Sequence, residues 1–173
     1  MALLTRRLVV LGAAGGLALL TSCSSKPAAT AAQPDIVVES PWVRTTDGST
    51  DTTMSAAFLT LSNPGDANVS LVGASTSVAN MCEIHEMVKD SSGKTVMQKA
   101  PNGVAIPAGS HLHLTPGGYH VMLMGLKQPL PVGSEVTVEL AFSSGQKLTV
   151  TAPVKVFSEE EDHYHGTPTP STK

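Results

Sequence analysis

The residues with the clearest chemical potential are a histidine and two methionines in Tyr119-His120-Val121-Met122-Leu123-Met124-Gly125. If this stretch is a β-strand, its side chains alternate faces, so His120, Met122 and Met124 share one side while Val121 and Leu123 take the side a core would claim. The same count applies to Met81-Cys82-Glu83-Ile84-His85-Glu86-Met87. There Met81, Glu83, His85 and Met87 face one way, and Cys82 and Ile84 face the other. If the two strands are neighbours, His85 and His120 converge with methionines between them. Thioethers and imidazoles together suit Cu(I), whereas zinc prefers thiolate, imidazole and carboxylate, and calcium or magnesium prefer oxygen. Thioethers also do not titrate, so such a site loses less affinity on acidification than one built from His or Cys alone.

Each of these residues also has an ordinary explanation, since methionines fill irregular core gaps and histidines sit satisfied at surfaces. Clustering argues against it. Of the six methionines after Met1, five (Met81, Met87, Met97, Met122 and Met124) fall in the stretch that also holds four of the six histidines. His111 and His113 share a face with no methionine nearby and read as surface residues. His163 and His165, behind the acidic run Glu159-Glu160-Glu161-Asp162, suit a loose Cu(II) site, because imidazole and carboxylate favour the harder ion.

These strands belong to a region, residues 35–157, in which short β-branched or alternating runs are cut by turn residues. The cuts include Asn63-Pro64-Gly65-Asp66, Ser91-Ser92-Gly93, Pro116-Gly117-Gly118 and Ser143-Ser144-Gly145. Expected strands cover residues 36–40, 55–61, 70–74, 82–88, 95–99, 111–114, 119–124, 135–142 and 147–157. No window keeps a helical period, and the pattern predicts one antiparallel all-β sandwich or barrel.

Residues 1–22 read as a signal peptide: Arg6 and Arg7, an apolar run from Leu8 to Leu20, then small residues up to Cys23. The run is too short to cross a bilayer, which takes roughly 20 residues. Leu20-Thr21-Ser22-Cys23 resembles a bacterial lipobox, so Cys23 is the expected lipidation site and first residue of the mature chain. Several acyl chains hold firmly, each buried methylene adding about 0.8 kcal/mol. A membrane-anchored, extracytoplasmic lipoprotein is therefore expected. Thr5-Arg6-Arg7-Leu8-Val9 leaves Sec and twin-arginine export both open. Residues 23–34 read as a flexible lipidated tether, and residues 158–173 as a disordered acidic, His-bearing tail.

Losing Arg6 and Arg7 leaves nine basic residues against fourteen acidic ones, which makes nucleic acid a poor partner. Cys82 alone remains after Cys23 is acylated, so no intramolecular disulfide forms and no dithiol redox activity is available. No nucleophile–base grouping, carboxylate pair or phosphate loop stands out, and the chain is not expected to be an enzyme. The alternative function is a blue-copper electron carrier, since Cys82-x-x-His85-x-Met87 looks like part of such a site. It lacks a second histidine before His85, and alternation turns Cys82 away from that residue.

Nearly the whole domain resembles the PCu(A)C-type periplasmic copper chaperones. The matching segments are Pro41-Trp42-Val43-Arg44, Ala57-Phe58-Leu59-Thr60-Leu61-Ser62-Asn63, Leu71-Val72-Gly73-Ala74, Glu83-Ile84-His85-Glu86-Met87, Ile106-Pro107-Ala108-Gly109, and above all residues 116–126, PGGYHVMLMGL. The resemblance implies a cupredoxin-like Greek-key fold and one Cu(I) held by His85, Met97, His120 and Met122. It also implies delivery to the copper-site subunit of cytochrome c oxidase, or to a Sco-type assembly protein. The spacing departs from the family: eleven residues separate His85 from Met97 and twenty-two separate Met97 from His120, each about one more than the pattern. Counting back from His120 puts the ligand position on Gln98. Met97 then needs a bulge to reach the site, with Met87 in reserve. A chaperone must also release its ion, so ligands exposed to solvent are expected.

Overall fold

The computed structural model describes residues 35–157. The expectations for the signal peptide, Cys23, the tether, His163 and His165 lie outside the described residues. Within them the chain forms ten strands: β1 Val37–Arg44, β2 Met54–Asn63, β3 Val69–Thr76, β4 Ala79–Lys89, β5 Thr95–Lys99, β6 Val104–Ile106, β7 Ser110–Leu114, β8 His120–Leu126, β9 Glu135–Phe142 and β10 Lys147–Lys155. Nine of them correspond to the expected strands. The tenth, β6, is three residues long and too short to display a period. Pro41, which would interrupt a regular ladder, sits where β1 slips register against β2 between Glu39 and Trp42.

The strands join in the order β5-β4-β8-β2-β1-β10-β9-β3-β6, with β7 also on β2. Most neighbours are distant in sequence, the crossing connectivity of Greek-key sheets. The β1–β10 pair is parallel, with Val43 opposite Val154, and links the two halves. One core lies between those halves. Val43, Leu61, Ile84, Val121 and Leu123 come from one half and Leu71, Ile106, Val136, Val138, Leu140 and Val154 from the other, in a single buried cluster. Fully burying each such side chain is worth about 1.5–3 kcal/mol, so this inner face locks strand register. The single all-β domain expected from the turn spacing, with the cupredoxin-like Greek-key fold that the resemblance implies, is the fold observed.

Inner-face packing decides what is left outside. Val121 and Leu123 of β8 are fully buried and Ile84 of β4 is 4 % exposed, so alternation commits the residues between them to the outer face.

Candidate metal centre

β4 and β8 pair antiparallel, with His85 opposite His120, Glu83 opposite Met122 and Met81 opposite Met124. Opposed residues of a ladder share a face. The two imidazoles therefore meet, ring centroids 5.9 Å apart and nearly perpendicular. This is the juxtaposition that the two sequence stretches imply if their strands are neighbours.

His120 is set by the turn before it. Thr115-Pro116-Gly117-Gly118 closes with the Gly118 N–H donating to the Thr115 carbonyl at 3.0 Å, and Gly117 has φ +80°. Proline second and a left-handed glycine third are the requirements of a type II turn. The Gly118 carbonyl then lies 3.1 Å from His120 Nδ1. A carbonyl only accepts, so Nδ1 carries the proton and Nε2 of the neutral ring is a bare lone pair. Nε2 stands 3.2 Å from Met97 Sδ. Two electron-pair donors thus face each other with no proton between them. Burial holds the His120 pKa below its ordinary value; the Gly118 hydrogen bond opposes this and the nearby His85 reinforces it.

His85 is prepared by a different partner. Its Nε2–H donates to Glu83 Oε2 at 3.1 Å, and Glu83 Oε1 accepts from Lys99 Nζ at 2.6 Å. The Lys99 hydrogen bond, then that from His85, lowers the Glu83 pKa and keeps the carboxylate charged. With Nε2 occupied, His85 Nδ1 is the free lone pair, and it is buried with no hydrogen-bond partner. A buried polar atom left unmatched in this way is costly unless a ligand meets it. A carboxylate behind an imidazole is also the usual arrangement for orienting a metal-binding histidine.

The expected bulge at Met97 is not there. β4 and β5 run as an unbroken hairpin ladder with Met87 opposite Met97 and His85 opposite Lys99. Met97 therefore shares the His85 face, and Gln98 falls on the other, donating to Glu86 at 2.9 Å. The hairpin turn sets this register. Asp90 Oδ1 accepts from the Ser92 and Lys94 amides, and counting back from His120 crosses loops that carry no register information. Met87 lies across from Met97, two residues along β4 from His85. Met122 is half-buried between Ala56 of β2 and Glu83 of β4.

Exposure of the site is uneven. Met97 is 48 % exposed, but His120 is only 6 % exposed, contrary to the expectation of uniformly open ligands. Phe58 lies against the His120 ring, centroids 6.2 Å apart, and itself packs on Trp42 at 4.5 Å. Met97, His120 and Met122 line an open cleft of about 710 Å³ that extends over Arg44, Asp47 and Asp51. Of the residues lining it, His120 is buried and Met97 is exposed.

Among the described residues no three His, Cys, Asp or Glu side chains cluster as a metal site. The donor that the structure does place against His120 is the Met97 thioether, and a thioether with imidazoles suits a soft monovalent ion. The core-filling explanation of the methionines does not hold, since none of the six is among the buried core residues. Cys82 turns inward opposite Leu123, packs partly against the core, and its thiol pKa is raised by burial, so it does not offer a blue-copper thiolate beside His85. His111 and His113 are exposed, as expected, their rings stacked at 6.3 Å, with Thr60 Oγ1 3.0 Å from His113 Nδ1. Two contributors escaped sequence reasoning. The Gly118 carbonyl leaves no trace in side-chain types, whereas Glu83 does, as a carboxylate two residues before a histidine on the same strand face.

The family model "Putative lipoprotein LpqE-like" matches residues 36–154. "Putative lipoprotein Lxx21020" of Leifsonia xyli subsp. xyli is 41 % identical over 152 residues, covering 85 % of this chain and 89 % of that protein. The solution structure of CuI-DR1885 from Deinococcus radiodurans is 37 % identical, with a TM-score of 0.54, over 75 % of this chain and 86 % of that one. The copper-bound PCuAC domain from PmoF2, at 22 % identity, shares the fold, with a TM-score of 0.57 over 72 % of this chain and 96 % of that domain.

Proposed function

The chain belongs to the LpqE-like family, and we propose that it is a membrane-anchored, extracytoplasmic copper chaperone carrying one Cu(I) as cargo on His85, Met97, His120 and Met122. The observation that carries this reading is the pair of imidazole lone pairs described above, one 3.2 Å from a thioether and one buried without a partner. Neutral nitrogen and thioether donors hold Cu(I) and leave hard ions in water. The similarity to a protein solved as CuI-DR1885 supports the choice of ion. Lipoprotein names on the family and on the Leifsonia relative support acylation at Cys23 and a place on the outer face of a membrane.

The uneven exposure suits release. His85 and His120 are fixed by Glu83 and the Gly118 carbonyl, while Met97 stands in solvent and costs least to displace. An incoming thiolate replaces Met97 first, then Met122, and the ion leaves through the cleft. The recipient in this reading is the copper-site subunit of cytochrome c oxidase or a Sco-type assembly protein, and the chain acts as a carrier without catalysis. The test is to mix the Cu(I)-loaded protein with the metal-free copper-site domain of an oxidase subunit and follow copper by separation of the two. Copper should move to the acceptor. Retention by the donor, with the acceptor left empty, would overturn the delivery role.

A further inference from the structure

All six methionines of residues 35–157 project from one face of one half of the fold, and the ligand set uses two of them. Three of the others form a row. Met124 of β8 lies opposite Met54 of β2 on one side and Met81 of β4 on the other. Met54 is 43 % and Met81 52 % exposed, among the largest exposed apolar side chains of the domain, and Met124 is half-buried between them. Nothing about core packing explains them, because the inner face below is already filled by Leu123 and its neighbours.

We propose that Met54, Met81 and Met124 form a second, weaker Cu(I) site that loads and unloads the first. Directly opposed side chains on adjacent strands have Cβ atoms about 4.5–5.5 Å apart. A methionine places its sulfur at the end of three rotatable bonds. Three sulfurs in one row therefore converge on one ion without backbone movement, and three neutral thioethers with no imidazole or carboxylate in the row select a soft monovalent ion. The row is four residues along β8 from His120, about 13 Å at roughly 3.3 Å per residue. Met122 stands midway on the same face, so an ion passes from the exposed row to Met122, alongside the Glu83 carboxylate opposite it on β4, and on to His120. Exposure and the lack of nitrogen donors make this site weaker than the first.

The inference rests on the Cu(I) reading of the His85–His120 site. It is tested on the full chain in detergent, carrying ¹³C-methyl methionine, titrated with Cu(I) under reductant. The first equivalent should shift the methyl signals of Met97 and Met122, and the second those of Met54, Met81 and Met124 together. Combining Met54→Leu, Met81→Leu and Met124→Leu, all changes of similar size on the outer face, should abolish the second equivalent and leave the first bound as before. Saturation at one equivalent, or a second equivalent that survives in the triple variant, would overturn the second site alone. Failure to bind even the first equivalent would overturn the chaperone reading and this inference with it.

Discussion

Met97 and His120 are 23 residues apart and lie on strands that do not pair, yet the Met97 sulfur sits 3.2 Å from the ring nitrogen of His120. β4 lies between those strands, so the methionine, itself opposite Met87, reaches diagonally across β4 to the level of His85, where His120 stands. The β4–β5 hairpin register and the β4–β8 register together make this possible.

That register separates two candidates for the fourth ligand. Met97→Leu keeps volume and removes the sulfur, and should weaken Cu(I) binding roughly 10-fold or more, at least about 1.4 kcal/mol. Met87→Leu should change it by less than about 3-fold, within about 0.6 kcal/mol. Chelator competition under reductant reads both, and a larger loss for Met87→Leu would show that the reserve candidate is the true ligand.

Glu83 touches no proposed ligand atom, but it holds His85 in the tautomer that frees Nδ1. Groups in this position typically cost about 10- to 100-fold in metal affinity when removed. Glu83→Ala should fall in that range, while thermal unfolding of the metal-free protein moves little because the side chain faces outward. An unchanged copper affinity would show that His85 is oriented by packing alone.

Burial keeps the His120 pKa below its ordinary value of 6.5. Between the folded value and 6.5 the unfolded chain binds more protons, so stability rises with pH across that interval. The contribution of His120 is complete above the unfolded value and is lost as pH falls through the folded one. Urea midpoints of the metal-free protein should decline with acidification below about 6.5, and more steeply than those of His120→Gln. Parallel curves for the two proteins would contradict this.

Gly117 is the hinge of the turn that places the Gly118 carbonyl. At φ +80° with open space where a Cβ would stand, Gly117→Ala meets conformational strain and no clash, a cost of roughly 1–2 kcal/mol. Gly145, at φ +86° in the β9–β10 turn with equally open space, is the control. Both substitutions should lower the melting temperature similarly, and only Gly117→Ala should also weaken Cu(I) binding. An equal effect on copper from both would remove the turn from the site.

Much of this arrangement was legible in the sequence, for identifiable reasons. The period-two alternation of residues 119–125 places Val121 and Leu123 inside and His120, Met122 and Met124 outside, because a buried face specifies register strongly. The count from His120 that puts the ligand position on Gln98 loses register because it passes through the turns between residues 100 and 119. What positions Met97 is the Asp90 turn at the other end of β5. The strand β6 is too short for any pattern. The roles of Glu83 and Gly118 depend on which atoms meet across β4 and the β7–β8 turn. The ring contact of Phe58 with the buried His120 requires β2 and β8 to be neighbours.

The most direct test of the central claim is X-ray absorption on the protein loaded with one equivalent of Cu(I) under reductant. The geometry predicts two nitrogen scatterers and two thioether sulfurs around one copper, with one sulfur lost in Met97→Leu and one nitrogen in His120→Ala. A short thiolate bond assignable to Cys82, or a shell of nitrogen and oxygen alone, would contradict the site built on His85 and His120.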